Sequence, residues 1–152
     1  MKALVQRVTY CRVTINGKET REIGPGLLVL FGCAVGDDLS MCEKLAEKTA
    51  NLRIFTDAEG KMNLSAKELG LSAMVVSQFT LLANTSKGHR PNFMNAAKQP
   101  LSVDAYNRFV ELLSGMGLKE VKTGEFGAHM DVEFCNNGPV TIMLDSDDWG
   151  KK

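Results

Sequence analysis

Histidine is nearly missing from this sequence: only His89 and His129 occur in 152 residues. That scarcity excludes most sets built on several imidazoles. There is no H-E-x-x-H, no Walker A sequence and no G-x-S-x-G, and no spacing suits a four-ligand zinc site. Net charge is missing too. The 18 Lys and Arg are matched by 18 Asp and Glu, so bulk attraction to nucleic acid or to a membrane surface is excluded as a driving force. Four cysteines (11, 33, 42 and 135) form no C-x-x-C pair, and Cys11, Cys33 and Cys135 sit in apolar stretches. Buried reduced thiols are expected rather than disulfides or a metal site. The longest run free of charged or strongly polar residues, Leu27 to Val35, is about half of what a membrane span needs. The apolar start of the chain ends at Gln6 and Arg7, too soon for a signal peptide, so a soluble cytoplasmic protein is expected. The sequons at Asn63 and Asn84 then carry no weight. Asp145 to Gly150 imitates the opening of an EF-hand loop, but Trp149 takes its fifth position and no bidentate glutamate follows.

What is present describes one globular domain over 1–152, since hydrophobic (44%) and charged (24%) fractions are ordinary for globular chains. A chain of this length buries roughly 70% of its unfolded surface and needs no cross-links. Val5–Val8 and Val13–Ile15 are β-rich, and Asn16-Gly17 suits a type I′ hairpin. Leu27–Val35 reads as a strand buried on both faces. A helix follows, with a capping box at Ser40-x-x-Glu43 and Leu39, Cys42, Leu45, Ala46, Thr49 and Leu52 on one face. Leu52–Phe55 and Ala73–Leu82 look like strands, Ser102–Met116 like a second helix. Lys119–Thr123, Met130–Cys135 and Val140–Leu144 look like further strands. The predicted class is α/β (α+β): a strand-dominated sheet with two packed helices.

Three segments admit both a structural and a functional reading. Alternation in Ser77-Gln78-Phe79-Thr80-Leu81 would make an ordinary half-buried strand, or would present backbone N–H groups and hydroxyls to a developing oxyanion. Asn136-Asn137-Gly138-Pro139 is a tight turn between strands, or a main chain that approaches a ligand closely. Gly124 to Met130 is a bend entering a strand, or the wall of a flat pocket for a base. The long polar stretch Ala83–Pro100, with His89, Arg90 and Pro91, is of a length usually associated with function or mobility.

Together these segments resemble the D-aminoacyl-tRNA deacylase (D-tyrosyl-tRNA deacylase) family. Eight blocks match in order: Gln6–Val8, Ile23–Leu28, Leu52–Phe55, Gly60–Asn63, Ser77–Leu81, Gly88–Phe93, Gly124–Met130 and Asn137–Thr141. Leu82, His89 and Asn137 depart from the residues common at those places. The resemblance implies a compact β-barrel-like fold and a homodimer. It implies hydrolysis of the ester that joins a D-amino acid, or glycine, to the terminal adenosine of tRNA, with no cofactor or metal. Ser77, Gln78, Phe79 and Thr80 would form the catalytic segment. A cis Gly138–Pro139 from one subunit would reach the other's site and reject L-amino acids, with Arg7 helping to hold it. Arg7, Asn137, Phe126, Ala128 and Met130 would bind substrate, the last three lining the adenine pocket.

An aminoacyl ester is already activated, so an oriented water and a stabilised oxyanion matter more than a strong base. Thr80 as nucleophile would need such a base, and none is adjacent in sequence. The expectation is therefore backbone N–H groups near Phe79 and Thr80 as oxyanion donors, assisted by the substrate's 2′-hydroxyl. Two rivals stand: an inactive dimer that only binds the tRNA end, and an unrelated hydrolase using His129 with Glu125 or Asp131. Lys87, Arg90 and Lys98 are local positive charges for nearby phosphates.

Overall fold

The computed structural model describes residues 1–150. Strand β1 (Lys2–Ile15) runs to Asn16-Gly17, both at positive φ (52° and 67°), as a type I′ turn requires, and the chain returns as β2 (Glu19–Ile23). Next come β3 (Gly26–Gly32), α1 (Met41–Asn51), the small hairpin β4 (Phe55–Thr56) and β5 (Met62–Leu64), and α2 (Ala66–Leu69). Strand β6 (Ser72–Ser77) leads through a loop to α3 (Leu101–Ser114), β7 (Val121–Thr123) and β8 (Met130–Asp145).

The main sheet has the order β2-β1-β3-β6-β7, with β8 also paired to β1. β3, β6 and β7 run parallel, while β1 is antiparallel to β2, β3 and β8. The far strand is tied back: Lys122 Nζ donates to the Glu22 carbonyl (2.7 Å) and Arg21 Nη1 to the Thr123 carbonyl (2.9 Å). The result is an α+β domain with a nearly closed, barrel-like sheet and three helices.

Alternate residues of the central strands serve two cores. Leu27, Val29 and Phe31 of β3, with Ala73 and Val75 of β6, pack under the helices against Leu45, Phe109 and Leu113. Leu28, Met74 and Val76 face the inside of the curled sheet with Cys11, Val13 and Ile23. This double burial explains the unbroken apolar run of β3. In β1, Ala3 and Val5 belong to the first core but Cys11, Val13 and Ile15 to the second. Pairing shifts between Val8 and Tyr10 make a bulge at Thr9 that carries the strand from one face to the other.

Several expectations are corrected. Among the described residues there are three α-helices, not two: the capping box forms at Ser65 and Glu68, opening α2, whereas the Ser40 side chain caps nothing. Ser40 fails because its N–H is taken by Asp38 Oδ1 (2.8 Å) and its own backbone is already helical. Leu52–Phe55 is an extended exit from α1 in which only Phe55 joins a strand. Cys11, Cys33 and Cys42 are buried free thiols, but Cys135 is exposed on the outer surface of β8.

Candidate active site

The expected strand Ala73–Leu82 stops at Ser77. Gln78 N–H still reaches the Phe31 carbonyl (2.7 Å), then Phe79–Leu82 folds into a single 3₁₀ turn. Leu81 N–H returns to the Gln78 carbonyl (3.3 Å), while the N–H groups of Phe79 and Thr80, first in the turn, have no acceptor among the described residues. Helical starts leave such donors free by construction. The turn lies close on β3 because position 32 is glycine: a Cβ there would sit 2.6 Å from Leu82 Cδ2 and 3.0 Å from the Gln78 carbonyl oxygen. Thr80 is exposed, and its hydroxyl accepts a hydrogen bond from Gln78 Nε2.

Beside this turn is a pocket of about 270 Å³. Ser77, Gln78, Phe79, Gly32, Cys33, Phe126, Ala128 and Met130 line it, whereas Thr80 lies outside this lining. Phe126 leans on Tyr106 (ring centroids 5.8 Å apart), whose hydroxyl donates to the Val75 carbonyl (2.9 Å). Burial pushes the Tyr106 phenol up to about 12, so it remains a neutral donor. The Met130 sulfur occupies the place a Cβ on Gly124 would need, which fixes the far wall. Burial likewise pushes the Cys33 thiol up to about 11, which removes it as a nucleophile near neutral pH. His129 also lines the pocket, with Nε2 3.8 Å from Asp131 Oδ1.

The Gly138–Pro139 segment has a different setting. It is not a turn between two strands, because β8 is continuous through it. Val8 pairs with Asn136 and Gln6 with Thr141, leaving Arg7 alone opposite Asn137–Val140. The extra length bulges outward with its neck closed by Asn136: Val140 N–H donates to Asn136 Oδ1 (2.7 Å), and Asn136 Nδ2 to the Val140 carbonyl (3.2 Å) and Thr141 Oγ1 (3.0 Å). Arg7 clamps the bulge through Nε to the Asn137 carbonyl (2.7 Å) and braces itself through Nη1 on the Ile54 carbonyl (2.6 Å). The Gly138–Pro139 bond is cis, and Gly138 has φ 141°. Asn137, Gly138 and Pro139 are exposed, three strands from Ser77 in the sheet. One chain therefore unites the Ser77–Phe79 and Phe126–Met130 groups, and unites Arg7 with Asn137–Pro139, but does not bring the two sets together.

The chain is similar to known proteins in sequence and fold. A family model described as D-Tyr-tRNA(Tyr) deacylase matches residues 4–145. The chain belongs to the D-Tyr-tRNA(Tyr) deacylase family. A D-aminoacyl-tRNA deacylase of Dehalococcoides mccartyi is 55% identical over 149 residues, covering 97% of this chain and 96% of the relative. One of Deinococcus radiodurans is 49% identical over 145 residues, covering 95% and 99%. Among solved structures, the c-Myc DNA Unwinding Element Binding Protein matches with TM-score 0.89 at 40% identity, over 96% of this chain and 99% of that one. A probable eukaryotic D-amino acid tRNA deacylase matches with TM-score 0.84 at 14% identity, over 94% and 97%, which shows a common fold alone. As a family member the chain is a hydrolase of the aminoacyl-tRNA deacylase class.

Two residues that shape the candidate site have no motif signal of their own. Gly32 stands inside an apolar strand, and only the close approach of the 3₁₀ turn reveals why a side chain is excluded there. Asn136 looks like one more turn residue until its carboxamide is seen closing the bulge. A glycine interrupting a buried strand was the available hint for the first.

Proposed function

We propose that the protein hydrolyses the ester of D-aminoacyl-tRNA, and of glycine mischarged on tRNA, as a homodimer with composite sites. The observation that carries this reading is the pocket lined by Phe126, Ala128, Met130 and Ser77–Phe79, next to a turn whose Phe79 and Thr80 N–H groups have no acceptor among the described residues. The terminal adenine fits against Phe126, Ala128 and Met130. The ester carbonyl oxygen then points at the N–H groups of Phe79 and Thr80. Water attacks the carbonyl carbon, the oxyanion is held by those two donors, and the bond to the ribose 3′-oxygen breaks with a proton passing to that oxygen. Free amino acid and tRNA result. The ribose 2′-hydroxyl orients the water, which accounts for a site with no base bonded to Thr80.

Chirality is read by geometry at Cα. Gly138 and Pro139 of the partner subunit occupy the space where an L side chain would point, so the L isomer clashes, whereas a D side chain points outward. The exposed, clamped bulge supports this reading, because Asn137, Gly138 and Pro139 are presented to solvent and no other segment of the described residues covers them. A dimer is further supported by β8 itself. Among the described residues only β1 is paired with this long strand, and Phe134, Ile142 and Met143 on it are exposed.

The test compares D-Tyr-, L-Tyr- and Gly-tRNA under single-turnover conditions. Hydrolysis of the D and glycyl esters with the L ester spared is expected, and comparable rates for D and L would overturn the chiral reading. A substrate with a 2′-deoxy terminal ribose should be nearly inert. The position of His129 on the pocket, near Asp131, favours one rival. Complete loss of activity in His129→Ala, with Gly138→Ala unaffected, would establish it.

A further inference from the structure

The charge balance of the whole chain conceals a local imbalance. From Leu69 to Val103 there is no aspartate or glutamate, yet the stretch holds Lys87, Arg90, Lys98 and His89. It also contains the catalytic turn. Asn84 and Asn92 pair across the base of a loop, through Asn84 N–H to the Asn92 carbonyl (2.7 Å) and Asn92 N–H to the Asn84 carbonyl (2.9 Å). Inside that closed loop, Asn84, Ser86, Lys87, Arg90 and Asn92 line a polar concavity of about 330 Å³. Neither Lys87 nor Arg90 has a carboxylate partner among the described residues, although most other surface arginines do.

The concavity is linked to the active site by stacked side chains. Phe93, just past Asn92, meets Phe79 of the catalytic turn edge to face (ring centroids 5.0 Å apart). Farther along the loop, Ala96 bridges to Ala34 and Ala97 lines the catalytic pocket. A strand leaving the adenosine pocket over Phe79 and Phe93 therefore arrives at two unpaired cations and several neutral hydrogen-bonding groups. Aromatic faces followed by a basic hollow suit single-stranded nucleic acid.

We propose that this concavity is a phosphodiester cradle. It would hold a backbone phosphate of the single-stranded acceptor end, just upstream of the nucleotide whose ester is cleaved. The proposal rests on the deacylase reading for the direction of the strand, but the cradle makes its own binding claim. The guanidinium of Arg90 and the ammonium of Lys87 would neutralise the phosphate, while the carboxamides and Ser86 hydroxyl complete its hydrogen bonds.

The experiment compares wild type with Lys87→Ala/Arg90→Ala in two assays. In the first, binding of a deacylated CCA-ended RNA minihelix is titrated from low to moderate salt. The double variant should bind about tenfold more weakly, and the slope of log affinity against log salt should fall by about 1 to 2. In the second, D-tyrosyl-tRNA and D-tyrosyl-adenosine are hydrolysed side by side. KM for the tRNA should rise about tenfold with kcat nearly constant, while the phosphate-free adenosine ester shows no comparable change. Lys87→Arg should restore part of the loss. An unchanged affinity and salt slope would overturn the cradle, as would equal losses on both esters. Inorganic phosphate competing as strongly as the minihelix would make this a free-anion site and overturn it too. If wild type failed to cleave either ester, the deacylase reading would fall while the minihelix titration still judged the cradle.

Discussion

The 3₁₀ turn after β6 and the Gly–Pro bulge are built by opposite means. The turn at Phe79–Leu82 is held from beneath: β6 and β3 are buried on both faces, Gly32 admits the turn to within contact of β3, and Leu82 is itself buried. The bulge at Asn137–Val140 is held from the side, by the Asn136 carboxamide and the Arg7 guanidinium, and its tip projects from a strand whose other edge is unpaired among the described residues. The first is complete within one chain and borders a pocket lined by Ser77, Gln78 and Phe79. The second is clamped yet faces nothing among the described residues of its own chain. Such a difference is what a shared site requires: one rigid half that receives and one rigid half that is delivered.

Separating the halves gives the largest expected effect. Gly32→Val should cut kcat on D-Tyr-tRNA by about 100-fold or more, since displacing the turn by about 1 Å misaligns both N–H donors. Gly138→Ala should cost about 30-fold, because the added Cβ would lie 2.8 Å from Val140 Cγ2 and 3.0 Å from Arg7 Nη2, displacing the bulge. Mixed dimers of these two inactive chains should recover activity, since one of the two sites in each mixed dimer pairs an intact turn with an intact bulge. Statistical mixing puts about a quarter of all sites in that state. Absence of any recovery after co-refolding would end the composite-site reading.

Asn136→Ala should have a smaller effect, about tenfold on activity with about 1–2 kcal/mol lost from stability, as the Val140 N–H loses its acceptor. Urea denaturation beside single-turnover kinetics checks both numbers. Thr80→Ala should have the least, within about threefold, since its backbone N–H survives the change. Complete loss of turnover with binding and fold retained would instead make Thr80 a nucleophile and move the comparison from backbone geometry to side-chain chemistry.

How far each half was legible follows from the same contrast. The central strands, the Asn16-Gly17 hairpin and the buried face of α1 follow from periodicity and turn chemistry, since local pattern and tertiary burial agree there. The turn at Phe79–Leu82 was not legible, because Phe79-Thr80-Leu81-Leu82 has the composition of a strand and packing on Gly32 accompanies its bend into a 3₁₀ turn. The bulge misled for a related reason. Asn-Asn-Gly-Pro carries every local mark of a chain reversal, yet pairing with β1 on both sides holds β8 to its course. Cys135 was misplaced because its apolar neighbour Phe134 is exposed as well. α2 escaped notice through brevity, although Ser65-x-x-Glu68 announced it.

The four-against-one mismatch opposite Arg7 has a consequence for assembly of the chain itself. Two long antiparallel strands with alternating side chains can slide past each other by two residues and still bury the right faces. Here they cannot. Arg7 finds the Asn137 carbonyl, and Asn136 finds Val140, in only one alignment, so the bulge acts as a key that admits β8 to its berth at a single setting. The feature that would read the handedness of a substrate also lets the chain's final strand dock in only one way.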